Sequence, residues 1–331
     1  MRRRNFFTLL GGAALAWPCG VRAQKPAMPV IGFLVGASPA QFAPYVAGFR
    51  RGLSETGYVE GKNVAIEFRS AEGHYDRALA GGRSGPPPGD NPVCVRSRRG
   101  ARAAKAATST IPIVFTTGRD PVDMGLVASL SHPGGNLTGI NFFTSELREK
   151  RLELLHALVP KATVIAYVVN PNGTTGSRAQ TESRTQTLPE TARALGLQLR
   201  FLSASNAQEI DAAFATLGQL RPGALLVDAD IFFNARREQI VALAARNKVP
   251  AIYEGREYVA PGGLMSCGAS LSEAWRQAGI YTGKILNGAK PADLPIMQST
   301  KIEMVINTRT AKALGLTIPQ SLLLRADEVI Q

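Results

Sequence analysis

Short apolar runs rich in β-formers alternate with stretches of helical period along most of this chain, and that alternation constrains the fold more than any other feature. Val30-Ile31-Gly32-Phe33-Leu34-Val35 reads as a buried parallel strand ending in the loop Gly36-Ala37-Ser38-Pro39. Phe42, Tyr45, Val46, Phe49 and Leu53 then recur at helical spacing, and Gly57 closes that helix. Val64–Arg69 and Ile111–Phe115 read as further strands, and Pro121–Leu130 as another helix. Farther on, Val164–Val169 precedes a helical stretch near 178–195, and Leu197–Leu202 precedes Ile210–Leu220. Ala224–Val227 precedes Ala235–Arg246, and Ala251–Tyr253 precedes a loop. Repeated β-α-β units with short connections predict parallel sheets covered by helices on both faces. These units exceed one comfortable sheet, and 331 residues suit two ordinary domains, so two similar α/β lobes are expected. Gly134–Gly139 is a candidate crossover between them, and Pro261-Gly262-Gly263 a candidate return.

The first 23 residues read as an export address. Arg2, Arg3 and Arg4 form a positive n-region, Phe6–Trp17 an apolar h-region, and Val21-Arg22-Ala23 a small-residue cleavage site. The apolar run is too short for a permanent membrane span. Arg3-Arg4-Asn5-Phe6-Phe7 resembles the twin-arginine export signature. Cys19 follows Trp17-Pro18 rather than small residues, which disfavours lipid attachment at that position. A periplasmic protein cleaved near Ala23 and starting near Gln24 is expected. The formal net charge of +13 would suggest a polyanion binder if it were spread over the fold. Residues 1–23 and 80–105 carry most of the excess, so the bulk of the chain has an ordinary mixed surface and nucleic acid is not an expected partner. Besides Cys19 the cysteines are Cys94 and Cys267, with no C-x-x-C spacing, and a chain of this size does not need a bridge between them.

In open parallel sheets, ligands bind at loops beyond the carboxyl ends of strands. Here those loops are polar: Thr116-Thr117-Gly118-Arg119-Asp120, Asn170-Pro171-Asn172, Asp228-Ala229-Asp230, Glu254 with Arg256, and Ser266-Cys267-Gly268. Hydroxyls, amides and carboxylates on rigid strand ends suit hydrogen bonding to a small polar molecule. Each loop alone reads equally well as helix capping, with Asp120 before Pro121 a natural N-cap. The case for a site rests on all of them pointing the same way. Of the three histidines, His74, His132 and His156, the last lies on a leucine-rich helix and His132 precedes Pro-Gly-Gly, so neither is placed as a base or ligand, and no H-E-x-x-H, G-x-S-x-G or G-x-G-x-x-G pattern occurs. Gly279–Ile285 is one residue short of a phosphate loop, lacks a hydroxyl residue after Lys284 and lies in a helical pattern. Cys267 has no evident histidine partner and reads as a small packing residue.

An ordered series of blocks carries a family resemblance. It runs from Arg3-Arg4-Asn5-Phe6 and Pro29–Leu34 through Gly57–Val64 and Ala71–Arg77. It continues with Ile111–Phe115, Asp120-Pro121-Val122, Pro133–Gly139, Lys150–Leu155 and Ala311–Leu316. In these blocks the chain resembles the periplasmic ABC-transporter substrate-binding proteins related to tryptophan- and other amino-acid-binding components. The resemblance implies a type I periplasmic-binding fold, with two Rossmann-like lobes joined by crossover strands. Lobe 1 would be 29–140 plus about 260–295, and lobe 2 would be 141–259 plus about 296–331. It implies no cofactor, no metal and no catalysis. The ligand would be an amino acid or small organic acid held between the lobes by Ser38, Thr116, Thr117, Asp120, Asn170, Asn172, Asp230, Glu254 and Ser266. The implied partners are that solute and the ABC permease and ATPase subunits at the inner membrane, with the protein itself a monomer. The alternative readings are a ligand-sensing module for a membrane receptor and, less favoured, an α/β enzyme using Cys267.

Residues 80–102 depart from the family pattern. Gly81–Asp90 includes three consecutive prolines, which forbid a helix, and Val93–Gly100 offers no run long and apolar enough for a buried strand. Gly, Pro, Arg and Ala are what GC-rich coding DNA yields out of frame, so a pair of compensating frameshifts is the expected origin, with a genuine basic surface loop the less favoured alternative. Either way the first lobe is expected to lack a central strand.

Overall fold

A computed structural model describes residues 28–35, 39–70, 92–96, 98–142, 147–172, 187–299 and 301–331. The export segment, Ser38 and residues 80–91 of the Gly/Pro/Arg-rich stretch lie outside the described residues.

The strand–helix alternation folds into two sheets. The first contains β1 (Val30–Val35), β2 (Ala65–Ser70), β3 (Val93–Arg96), β4 (Ile113–Thr117), β5 (Leu137–Asn141) and β11 (Met297–Gln298), in the order β11-β5-β4-β3-β1-β2. The second contains β6 (Val164–Val169), β7 (Gln198–Ser203), β8 (Ala224–Val227), β9 (Ala251–Tyr253), β10 (Met265–Ala269), β12 (Ile302–Asn307) and β13 (Glu328–Ile330), in the order β13-β12-β10-β9-β8-β6-β7. Every pairing is parallel except β10 with β12. Helices cover both faces of each sheet, because strands buried on two sides must be shielded on two sides. In the first lobe α1 (Pro39–Ser54) and α10 (Leu271–Leu286) cover one face, with Phe33, Phe49 and Trp275 in that core, and α2 (Arg98–Ala107) covers the other. In the second, α3 (Arg148–Leu158), α4 (187–194), α11 (Thr308–Ala313) and α12 (Gln320–Leu323) lie over one face. The helices α5 (Ala207–Ala215), α6 (Leu217–Leu220), α7 (Ile231–Ala235), α8 (Arg237–Arg246) and α9 (Arg256–Val259) lie over the other.

The first lobe does not lack its central strand. Val93–Arg96 is β3, paired in register with β1 on one side (Phe33 opposite Cys94) and β4 on the other (Cys94 opposite Val114). Cys94 and Val95 are fully buried. Four residues suffice because an inner strand takes hydrogen bonds and packing from two neighbours. Val-Cys-Val is β-forming enough to fill the slot although Pro92 and Arg96 flank it.

Other expectations shift by a few residues. Pro121–Leu130 is not a helix: Pro121–Gly125 is a turn. Leu137–Gly139 belongs to β5, so the chain leaves the first sheet only after Asn141. β10 pairs with β9 and β12, which places Met265–Ala269 in the second sheet rather than in the stretch about 260–295 expected for the first lobe. β11 pairs with β5, which places Met297–Gln298 in the first sheet.

The α1–α10 contact is the most extensive between any two helices described. Gly48 and Gly52 on α1 face the backbone of Ser272 and Arg276, and Gly279 on α10 faces that of Phe49 and Leu53. The helices therefore meet backbone to backbone, and α10, which follows β10, is seated firmly on the first lobe.

Candidate functional site

In the second sheet β9, β8 and β6 are neighbours, so their carboxyl ends bring the loops at 254, 228–230 and 170–172 together. Asp230 is the organising residue. Its Oδ1 accepts from the Phe232 and Phe233 amides at 2.8 and 3.3 Å, capping α7, and from Asn170 Nδ2 at 3.0 Å. Asn170 Oδ1 in turn accepts from the Asn172 amide at 3.0 Å, which leaves the Asn172 side chain exposed. Asp230 is only 5% exposed, and burial raises its pKa against the opposing pull of Asn170 and the two amides.

Glu254 is buried beside this group. Tyr258 on α9 is fully buried, stacks on Tyr253 with ring centroids 4.8 Å apart, and its hydroxyl has no hydrogen-bond partner. Burial first, then the charges of Glu254 and Asp230 and the Tyr45 phenol, push its pKa well above the ordinary tyrosine value. A buried, unsatisfied hydroxyl beside two carboxylates is a costly arrangement to keep without a role.

A second cluster lies alongside. Arg148, at the start of α3, reaches Asp228 Oδ1 with both Nε and Nη2 at 3.0 Å, and both side chains are nearly enclosed. Burial disfavours the Arg148 charge, but the charge and hydrogen bond of Asp228, with Tyr167 and Glu149, together outweigh it and the pKa rises. Tyr167 on β6 also hydrogen-bonds Asp228, and burial, then that carboxylate, drive its pKa up.

The first-lobe candidates are less concentrated. Thr116 is buried with its Oγ1 unpartnered. Thr117 Oγ1 accepts from the Arg119 amide at 3.2 Å, and Asp120 Oδ1 accepts from the Val122 amide at 2.7 Å, so both close their own turn. Ser266 is buried and its Oγ lacks a partner. Strand alternation sets it opposite Met265 and Cys267, on the face under α9. The structure thus gathers Asn170, Asp230 and Glu254 at neighbouring strand ends with Asn172 on the adjoining loop, sets Ser266 on the next strand in register with Tyr253, and leaves Thr116, Thr117 and Asp120 on the first sheet.

Sequence reasoning does not single out Arg148, Tyr45, Asn234 or Tyr258. Tyr45 reads as an ordinary core position at helical spacing, and Arg148 is 80 residues from its partner. Asn234 carries a signal, an amide directly after Phe232-Phe233 in a buried helix. Among the described residues no three His, Cys, Asp or Glu side chains are placed to hold a metal ion, and no helix is long and apolar enough to cross a membrane.

Two α/β lobes on mostly parallel sheets, with polar loops at their strand ends, have the architecture of solute-binding proteins of the type I periplasmic class, and comparison with known proteins agrees. A conserved domain protein from Vibrio cholerae matches with a TM-score of 0.76 at 26% identity, covering 91% of this chain and 99% of that one. An ABC domain in complex with L-Trp from Streptococcus pneumonia matches at 0.74 and 26%, with the same coverage. A ligand-free, open substrate-binding protein with adhesive properties from Clostridium difficile matches at 0.61 and 25%, covering 92% and 99%. A tyrosine-binding protein of Clostridioides difficile strain R20291 is 29% identical over 270 residues, 81% of this chain and 76% of that protein. The model of the ABC transporter substrate binding protein family matches residues 32–330, and the chain belongs to that family. It is a solute-binding component that works with an ABC permease and ATPase, and the family is one of solute-binding proteins rather than enzymes.

Proposed function

We propose that this protein is exported to the periplasm, loses its signal near Ala23, and as a monomer binds an amino acid between its lobes for import. The supporting observation is the buried cluster at the carboxyl ends of β6, β8 and β9. Asp230 and Glu254 supply negative charge, and the Tyr258 hydroxyl and Asn170 amide supply directed hydrogen bonding. Two enclosed carboxylates favour a solute bearing an ammonium group over a simple organic acid. The relatives named for tyrosine and crystallised with L-Trp support the same class. Asn170, Asn172, Asp230 and Glu254 are the leading contacts. Ser38, Thr116, Thr117, Asp120 and Ser266 complete the proposed set. Nucleic acid has no part in this reading.

A thermal-shift series over the amino acids and matched organic acids tests it. A ligand at one hundred times its Kd stabilises by about 2.7 kcal/mol. An amino acid, L-Tyr or L-Trp first among them, should raise the melting temperature of the wild type and not of Asp230→Ala. A flat response to every amino acid, or a response to organic acids alone, would refute the proposal.

A further inference from the structure

Tyr45 and Asn234 meet across the gap between the lobes. Tyr45 lies on α1 of the first lobe and Asn234 on α7 of the second, 189 residues away. The phenol oxygen is 3.3 Å from Asn234 Oδ1, to which it can donate, and 3.2 Å from Nδ2, from which it can accept. The amide therefore satisfies the hydroxyl in either orientation. Tyr45 is 1% exposed and Asn234 4%, so the bond is closed to solvent. In an open form both groups would return to water, and this bond exists only while the lobes touch.

Both anchors are rigid. Asn234 donates its amide to the Asp230 carbonyl at 2.9 Å, and its own carbonyl accepts from Arg237 Nη1 at 3.1 Å. It therefore rides on the short helix that Asp230 caps. Tyr45 packs edge-on against Phe42 at 5.2 Å and sits on α1, which the glycine contact locks to α10.

We propose that the Tyr45–Asn234 bond is a latch that populates the closed form before solute arrives, making these two positioning residues for binding. The inference rests on the two-lobed binding reading but not on which solute is bound. The latch ties recognition to closure, because Asp230, proposed to meet the solute, also fixes the helix that carries Asn234. An apo protein already partly closed binds with a smaller conformational loss.

Single-molecule energy transfer on the solute-free protein tests the latch directly. The crossings between sheets lie beside β5, β11, β10 and β12, so β2 and β7 are the edges that opening separates most. Dyes on Lys62→Cys and Arg200→Cys, both exposed positions, report that separation, and the native Cys94 and Cys267 are buried. The wild type should show a high-transfer closed population without solute. Tyr45→Phe keeps the ring and should shift the closed-to-open ratio about fivefold toward open, the effect of one net hydrogen bond. Asn234→Leu should do the same, and the double variant should add nothing further. A ratio unchanged by Tyr45→Phe at unaltered melting temperature, or a wild type with no closed population, would overturn the latch. Addition of L-Tyr or L-Trp is a separate arm: failure to shift the wild type there counts against the amino-acid proposal, while the solute-free ratio alone decides for or against the latch.

Discussion

Gly52→Ala should disrupt the seat of α10 on α1. A Cβ at Gly52 would lie 1.8 Å from the Arg276 carbonyl oxygen and 2.7 Å from its carbonyl carbon. Backbone atoms cannot swing aside, so the helices must part by about 1.5 Å to regain ordinary van der Waals distance. Parting them loosens the Phe33, Phe49 and Trp275 rings, whose centroids are 4.9 to 6.4 Å apart. Overpacking of this kind costs about 1–3 kcal/mol, and the higher helix propensity of alanine returns about 1 kcal/mol. With the loosened ring packing added, the net loss is about 2 kcal/mol, or a fall of about 4–8 °C in melting temperature at this domain size. Gly218→Ala is the matched control: that helical glycine has nothing within 4 Å of a Cβ, so alanine should be neutral or slightly stabilising. Thermal melts followed by circular dichroism compare the two. If Gly52→Ala melts with or above Gly218→Ala, the helices are not in backbone contact and the reasoning fails.

The buried ion pair makes a second prediction. Asp228→Ala leaves Arg148 enclosed without its carboxylate and should cost about 3–5 kcal/mol in urea unfolding, most of it recovered when Arg148→Met is added. A single-variant loss below about 1 kcal/mol would show that water reaches Arg148. A third concerns Cys94, whose thiol burial pushes up to about 12 despite its contact with Thr282. Because the thiolate is the reactive form, iodoacetamide at about pH 8 should modify Cys94 only as the first lobe unfolds, and prompt native-state labelling would contradict the buried β3.

What the sequence discloses and what it hides follow from the range of each signal. β1 and α1 are legible because apolar period is local: Ile31 and Phe33 face one core, and Phe42, Tyr45, Phe49 and Leu53 form the stripe that packs on it. Asp230 and Asn170 are legible because strand-end loops have a known place in parallel sheets. β3 escapes because its four residues lie beyond a proline-rich stretch and carry no period of their own. Its burial comes from β1 and β4, more than fifty and about twenty residues away in register. Arg148, Tyr45 and Asn234 escape because their partners are distant in sequence, and only the folded chain brings them together.

The same long-range contacts explain how such a molecule can couple recognition to closure. α10 leaves the second sheet through β10 and is then fixed to α1 by glycine contacts that allow almost no sliding. α1 carries Tyr45, and α7, capped by Asp230, carries Asn234. A solute drawing on Asp230 would therefore act on a helix whose next turn holds the opposite lobe. Rigid anchors on each side mean that the bond is either made or broken, with little room for intermediate geometry. Removal of the Tyr45 hydroxyl and removal of the α1–α10 glycine contact should thus fail differently: the first changes how often the lobes meet, the second how well the first lobe holds together.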